Sequence, residues 1–148
     1  MTATGPKHIF VIYIKTTKEK LWDALTNPEM TSQYYFGSKI RTDLKKGSSI
    51  EFIIKDEKGQ ETIPVSGVIE EVIPNKRLVY TFDYHEYDDT PSMVAFDIEE
   101  TDMGLKLTVT HDHFEGETAT YKEVFEGWSY ILSGLKTLLE TGASLRGK

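Results

Sequence analysis

Residues 118–141 read TATYKEVFEGWSYILSGLKTLLET, and the spacing of apolar residues in this stretch decides the fold. Tyr121, Val124, Phe125, Trp128, Ile131, Leu132, Leu135, Leu138 and Leu139 recur at intervals of three and four. That rhythm gathers them on one side of an α-helix. Lys122, Glu123, Glu126, Lys136 and Glu140 fall on the other side, so the helix is expected to be half wet and half buried. At about 1.5 Å of rise per residue it would run for about 35 Å, enough to cross a sheet. Gly127 and Gly134 lie two turns apart at the margin of the apolar stripe. Each weakens a helix by roughly 1 kcal/mol relative to alanine, which predicts close approach of a strand, a helix or a ligand at those positions.

Composition narrows the function classes. The 148-residue chain is long enough for one domain with a substantial core, and its 28% charged and 39% hydrophobic residues are ordinary for a soluble protein. A net charge of −7 argues against a phosphate-binding face for nucleic acid and against an anionic membrane surface. The absence of cysteine removes disulfides, thiolate zinc sites and thiol nucleophiles. The opening MTATGPKH has no hydrophobic signal core, and IFVIYI (residues 9–14) is too short to span a bilayer. A soluble, cytoplasmic protein is expected, a single domain over residues 1–148 with its ordered core at about 8–142.

Residues 1–6 read as a frayed start. HIFVIYIK (8–15) is rich in β-branched and aromatic residues and predicts a strand covered on both faces. Thr16 or Thr17 then caps a short helix through Leu21, Trp22, Ala24 and Leu25, which Asn27-Pro28 stops. A second helical piece runs from Glu29 to about Tyr34 and ends at Gly37. From there the period shifts to two. SIEFIIK (49–55), TIPVSGVIEEVI (62–73), RLVYTFDY (77–84), SMVAFDIEE (92–100) and LKLTVTHDHF (105–114) read as strands of a meander, with Pro64 and Gly67 marking a bulge or bend. The predicted class is α+β. A curved antiparallel sheet of six strands grips the long C-terminal helix, and two short helices sit between the first and second strands.

Phe52 and Ile54, then Leu78, Tyr80, Phe82 and Tyr84, then Phe96 and Ile98, then Leu107, Val109 and His111 each alternate onto one face. Tyr34, Tyr35 and Phe36 join them from the end of the helical segment, and Trp128 and Leu132 from the long helix. An aromatic enclosure with a few phenols and one imidazole suits an apolar small molecule held by a few polar contacts. The same pattern also describes a filled core, and the sequence leaves both readings open. The candidate ligand-binding residues are Tyr34, Tyr35, Phe36, Phe52, Ile54, Tyr80, Phe82, Phe96, Val109, His111, Trp128 and Leu132.

His111 and His113 would project to the same side of a strand, with His8 across from them if the first and last strands pair. Imidazoles suit zinc, copper or nickel, but no third ligand is fixed by spacing, and no metal or other cofactor is expected. Glu86, Asp88, Asp89, Asp112, Glu115 and Glu117 sit in or beside loops, where carboxylates are usually solvated rather than poised for acid–base work. There is no phosphate-cradling glycine motif, no G-x-S-x-G elbow and no H-E-x-x-H sequence. His111 beside a tyrosine would be the remaining acid–base candidate; no catalytic residue is assigned.

Three stretches in this order resemble a known family: LWDALTNPEMTSQYYFG (21–37), IPNKRLVYTF (73–82) and EGWSYILSGLKTLLETG (126–142). They are similar to the helix-grip fold of the START-like (SRPBCC) superfamily. More narrowly, they resemble the C-terminal domain of the activator of the ninety-kilodalton heat-shock protein ATPase. The resemblance covers about residues 8–142 and departs at Gly47-Ser48, where relatives often carry a glycine pair. It implies first a noncatalytic domain enclosing a hydrophobic or amphipathic small ligand. A second implication is a stress-response interaction module for a chaperone or another protein, as a monomer or homodimer. A third is a cyclase- or hydrolase-type enzyme using His111. The N-terminal domain of the chaperone activator has no counterpart in this stretch, so its stimulating activity is not expected to follow from the fold.

Overall fold

Apolar alternation carries the chain through seven strands and three helices in the computed structural model, which describes residues 5–145. The expected frayed start falls mostly outside the described residues. β1 (His8–Ile14) leads into α1 (Lys18–Thr26) and α2 (Pro28–Thr31). Then come β2 (Lys39–Thr42), β3 (Ser49–Lys55), β4 (Glu61–Ile73), β5 (Arg77–Tyr84), β6 (Ser92–Thr101) and β7 (Gly104–Asp112), followed by α3 (Ala119–Thr141). The strands form one antiparallel sheet in the order β1-β7-β6-β5-β4-β3-β2. First and last strands therefore pair, with His8 opposite His111.

The sheet has seven strands, not six. The extra one, β2, is KIRT, and its Ile40 is the only strongly apolar residue among four, too short for a period to be visible. It pairs with β3, Ile40 opposite Phe52, and extends the sheet at the end where the helical segment returns.

Local chemistry explains the boundaries. Thr17 caps α1 by accepting from the Lys20 amide. Asn27 ends that helix in an extended conformation and caps α2 in turn, with Pro28 in its first turn, where a missing N–H is harmless. Helix α2 closes after Thr31, earlier than the expected Tyr34, and bends through turns to Gly37 (φ 76°). In β4, the register against β3 shifts between Val65 and Thr62, around Pro64 as expected. Gly67 plays a different part: a Cβ there would lie 1.9 Å from the Thr81 carbonyl oxygen, so this glycine admits the neighbouring strand.

Helix α3 lies against the inner face of the sheet and is fastened at both ends. Thr118 caps it, and the Asp89 carboxylate accepts from both the amide and the hydroxyl of Thr120. At the far end, Glu140 accepts from the Lys15 amide and Lys136, while Lys136 also donates to the Tyr13 carbonyl. Val124, Trp128, Ile131, Leu132, Leu135 and Leu138 are buried against the strands. Phe125 is not: it is 55% exposed, beside His8 and Phe10 at the helix margin.

Strand β1 corrects a second expectation. Its inward residues are covered, but Ile9, Val11 and Tyr13 face outward and are 43–55% exposed. Among the described residues α3 and the short helices pack on the inner face, and the outer face of β1 stays in solvent. The apolar run there reflects the β-preference of branched and aromatic side chains.

Candidate functional site

Toward the N-terminal half of α3, the helix and the sheet do not close completely. A cleft of about 220 Å³ lies between them. Phe52 and Ile54 on β3 and Phe82 on β5 form its sheet wall. Trp128, with Val124 and Ile131 one turn to either side, forms its helix wall. Tyr35 and Phe36 close one flank, Tyr84 and Glu123 the other. The exposed side chains of Phe36 and Glu123 mark where it meets solvent.

The rings are held by each other. Tyr35 stacks on Phe52 with centroids 4.5 Å apart and meets Trp128 edge-on. Phe36 has a left-handed backbone (φ 54°) that turns its ring outward onto Tyr130, stacked at 5.0 Å. Gly127 lies beneath that ring; a Cβ there would sit 3.9 Å from it, in ordinary contact. The cleft wall therefore has room at Gly127. Gly134, one heptad on, is tighter: a Cβ would be 3.3 Å from the Tyr34 Cβ, which would have to give by a few tenths of an ångström. The two helix glycines thus serve different purposes, one at the cleft and one in packing.

Of the twelve residues singled out in the sequence, Tyr35, Phe36, Phe52, Ile54, Phe82 and Trp128 line this cleft. Tyr34, Tyr80, Phe96 and Leu132 lie deeper, around a hollow of only about 10 Å³ shared with Tyr35 and Phe52. That part of the interior is a filled core. The Tyr34 hydroxyl donates to the Ala24 carbonyl at 2.8 Å. Among the described residues no group meets strict hydrogen-bond geometry with the Tyr80 hydroxyl, and the Tyr35 phenol beside it interacts weakly and disfavours its ionisation. Burial first, then the neighbouring phenols, pushes the Tyr80 pKa well above the ordinary tyrosine value.

Val109 and His111 are fully buried and line neither space. Both ring nitrogens of His111 are committed. Nδ1 accepts from the Trp128 indole at 2.9 Å, which leaves the proton on Nε2 to donate to Ser92 Oγ at 2.7 Å. Ser92 in turn donates to the Phe82 carbonyl. Burial, and secondarily His8, lowers the His111 pKa to about 3, so the ring is neutral. An imidazole so occupied and turned away from the cleft is a structural joint. His113 does not share its side of the strand: it lies beyond β7 with φ 65°, exposed, bonded to Asp112. His8 stacks on Tyr121 at 4.2 Å and donates from Nε2 to the Tyr121 carbonyl. No group of three or more metal-ligating side chains gathers among the described residues.

The sequence reading did not include Ser38, Pro64, Val65, Tyr84, Glu123, Val124, Gly127 and Ile131 among the site residues. Tyr84 follows Phe82 at the strand period, and Val124 and Ile131 flank Trp128 at helical spacing, so both signals were available. Glu123 belongs to the wet side of α3 by its spacing, and nothing local marks it as the rim.

Over residues 15–140 the sequence matches the family described as Activator of Hsp90 ATPase homolog 1-like protein. Among solved structures the chain is similar to a protein from Mesorhizobium loti, with 26% identity and a TM-score of 0.73, covering 90% of this chain and 96% of that one. It is also similar to the Aha1 dimer from Colwellia psychrerythraea, with 21% identity and a TM-score of 0.74, covering 93% and 98%. A third is DynU16 from the dynemicin biosynthetic locus, with 18% identity and a TM-score of 0.73, covering 92% of this chain and 48% of that one. No curated protein matches the sequence. The fold is a helix-grip fold, a curved antiparallel sheet around the long C-terminal helix, and no described helix is long and apolar enough to cross a membrane.

Proposed function

We propose that this chain, which belongs to the Activator of Hsp90 ATPase homolog 1-like family, is a noncatalytic domain that holds a small hydrophobic or amphipathic molecule between α3 and the sheet. One observation carries this reading. The interior is tightly filled around Tyr80 and Leu132, yet stays open over about 220 Å³ beside Trp128, behind a ring of aromatic side chains. Apolar concavities of this kind, with a few polar groups at the edge, are what small-molecule sites are made of. Catalysis by His111 finds no support in the geometry, because neither ring nitrogen is free to face the cleft.

The test is an NMR titration with a neutral naphthyl alcohol, 1-naphthalenemethanol. Amide shifts at Tyr35, Val124, Gly127 and Ile131 are expected, and Gly127→Leu, which plugs the wall while leaving the spectrum folded, should abolish them. Absence of shifts at millimolar alcohol, or shifts indifferent to the plug, would sink the reading.

A second reading, binding of a chaperone or another protein, follows from the family and would use the acidic loop between β5 and β6, at Glu86 and Asp88, or the exposed apolar face of β1 at Ile9, Val11 and Tyr13. A chain of this kind is a monomer or a homodimer, the Colwellia relative being described as a dimer. A pull-down with an Hsp90 chaperone that is lost on reversing Glu86 and Asp88, yet unmoved by the Gly127→Leu plug, would favour it. Asp89 is left out of that test because it caps α3.

A further inference from the structure

The cleft carries one formal charge among its lining residues, and that charge is negative. Glu123 stands at the rim, and no lysine, arginine or histidine lines the wall. Its Oε1 accepts from the Tyr87 hydroxyl at 2.9 Å, a neutral partner, and it forms no ion pair among the described residues. Tyr84 and Tyr87 meet edge to face at 5.5 Å beside it, and Phe36 stands at the solvent side. The field of the carboxylates reaches this rim. After burial, Glu123 and then Glu86 help to raise the Tyr84 pKa, so negative charge is disfavoured at that hydroxyl. The volume, about 220 Å³, lies below the roughly 300–1,000 Å³ of drug-sized sites. The walls are mostly flat rings, with Tyr35 on Phe52 and the indole of Trp128 across from them.

We propose that the occupant is a small arylalkylamine, its ring system seated between Trp128 and Phe52 and its alkylammonium group at the rim against Glu123. The apolar wall strips water from the ring, while the charge stays at the mouth and avoids the full cost of burial. An ammonium there gains the uncompensated carboxylate and the faces of nearby rings. A carboxylate on the same ring would meet Glu123 with no cation to offset it. This inference rests on the cleft being a ligand site at all.

The experiment compares three molecules with one ring: 1-naphthylmethylamine, 1-naphthalenemethanol and 1-naphthoate, titrated against the whole chain by NMR and calorimetry. The amine is expected to bind roughly threefold to fivefold more tightly than the alcohol, and roughly tenfold or more above the carboxylate. Glu123→Gln should bring the amine down to the level of the alcohol and leave the alcohol unchanged. Roughly 0.5 M salt should do the same. Alcohol and amine binding equally, or an amine preference that survives Glu123→Gln, would overturn the head-group assignment while leaving the cleft a ligand site. If none of the three shifts the cleft amides, the ligand site itself falls, and this inference with it.

Discussion

The indole N–H of Trp128 donates to Nδ1 of His111 across 2.9 Å, joining the middle of α3 to strand β7 inside the core. Trp128 is 1% exposed and His111 is 0% exposed, so neither group has water to turn to. The bond sets the tautomer of His111, and Nε2 then reaches Ser92 on β6. One chain of polar groups thus ties helix to sheet inside the core.

Truncating this joint should be costly. Trp128→Ala is expected to lower stability by about 3–5 kcal/mol, through lost burial and the cavity it leaves. Trp128→Phe keeps a ring in place but leaves Nδ1 of His111 without a donor, for a loss of about 1–3 kcal/mol. Urea unfolding followed by circular dichroism measures both. A loss under about 1 kcal/mol for the alanine variant would mean that the helix does not rest on this indole.

The same joint predicts a pH dependence. His111 has its pKa lowered to about 3 in the folded chain, by burial and then by His8. Unfolding returns it to an ordinary value near 6.5. Between those values the unfolded chain takes up a proton that the native chain refuses. Stability therefore falls as pH drops from about 6.5 toward 3, by up to about 1.4 kcal/mol per pH unit, and this group contributes no slope above that window. Wild type should lose about 2 kcal/mol more than His111→Asn between pH 7 and pH 5. Parallel losses in the two proteins would show that another group controls the acid limb.

Much of the architecture was legible because α3 and β5 to β7 carry long, regular apolar periods. Trp128, Ile131 and Leu135 declare the buried side of the helix without outside help. Four residues of β2 offer no comparable signal. The candidate site was legible as a face but not as a depth. Tyr80 and Phe82 alternate onto the same side of β5, yet one ends in filled core and the other beside the cleft. What separates them is where α3 crosses the strands, a tertiary fact that the strand period does not encode. Likewise the period turns His111 inward, but only the placement of Trp128 turns it from a candidate base into a hydrogen-bonded joint.

Removing the Tyr80 hydroxyl should help the fold. That hydroxyl is buried, and among the described residues it has only the poorly aligned Tyr35 phenol to turn to, whereas a buried polar group left fully unsatisfied costs roughly 1–3 kcal/mol. Tyr80→Phe keeps the ring between Phe52 and Phe96 and is expected to raise stability by about 1 kcal/mol. Urea midpoints decide it. Destabilisation by more than about 1 kcal/mol would mean the phenol is satisfied after all, by an ordered water in the small hollow beside it or by Tyr35.

The two helix glycines should respond oppositely to one methyl group. Alanine favours a helix interior by about 1 kcal/mol over glycine at either position. At Gly134 the new Cβ would press on Tyr34 at 3.3 Å, and Tyr34 cannot retreat while its hydroxyl holds the Ala24 carbonyl. Overpacking of this kind costs about 1–3 kcal/mol, so Gly134→Ala is expected to lower stability by about 1 kcal/mol. At Gly127 the nearest atom is the edge of the Phe36 ring, 3.9 Å away on a half-exposed side chain. Gly127→Ala should therefore raise stability by about 0.5–1 kcal/mol, while narrowing the cleft and weakening binding of the naphthyl probes. Thermal and urea unfolding of both variants, beside one titration of Gly127→Ala, separates the effects. Equal stabilisation at the two sites would mean that α3 stands off from Tyr34. A stabilised Gly127→Ala with undiminished probe affinity would place the probe away from this wall.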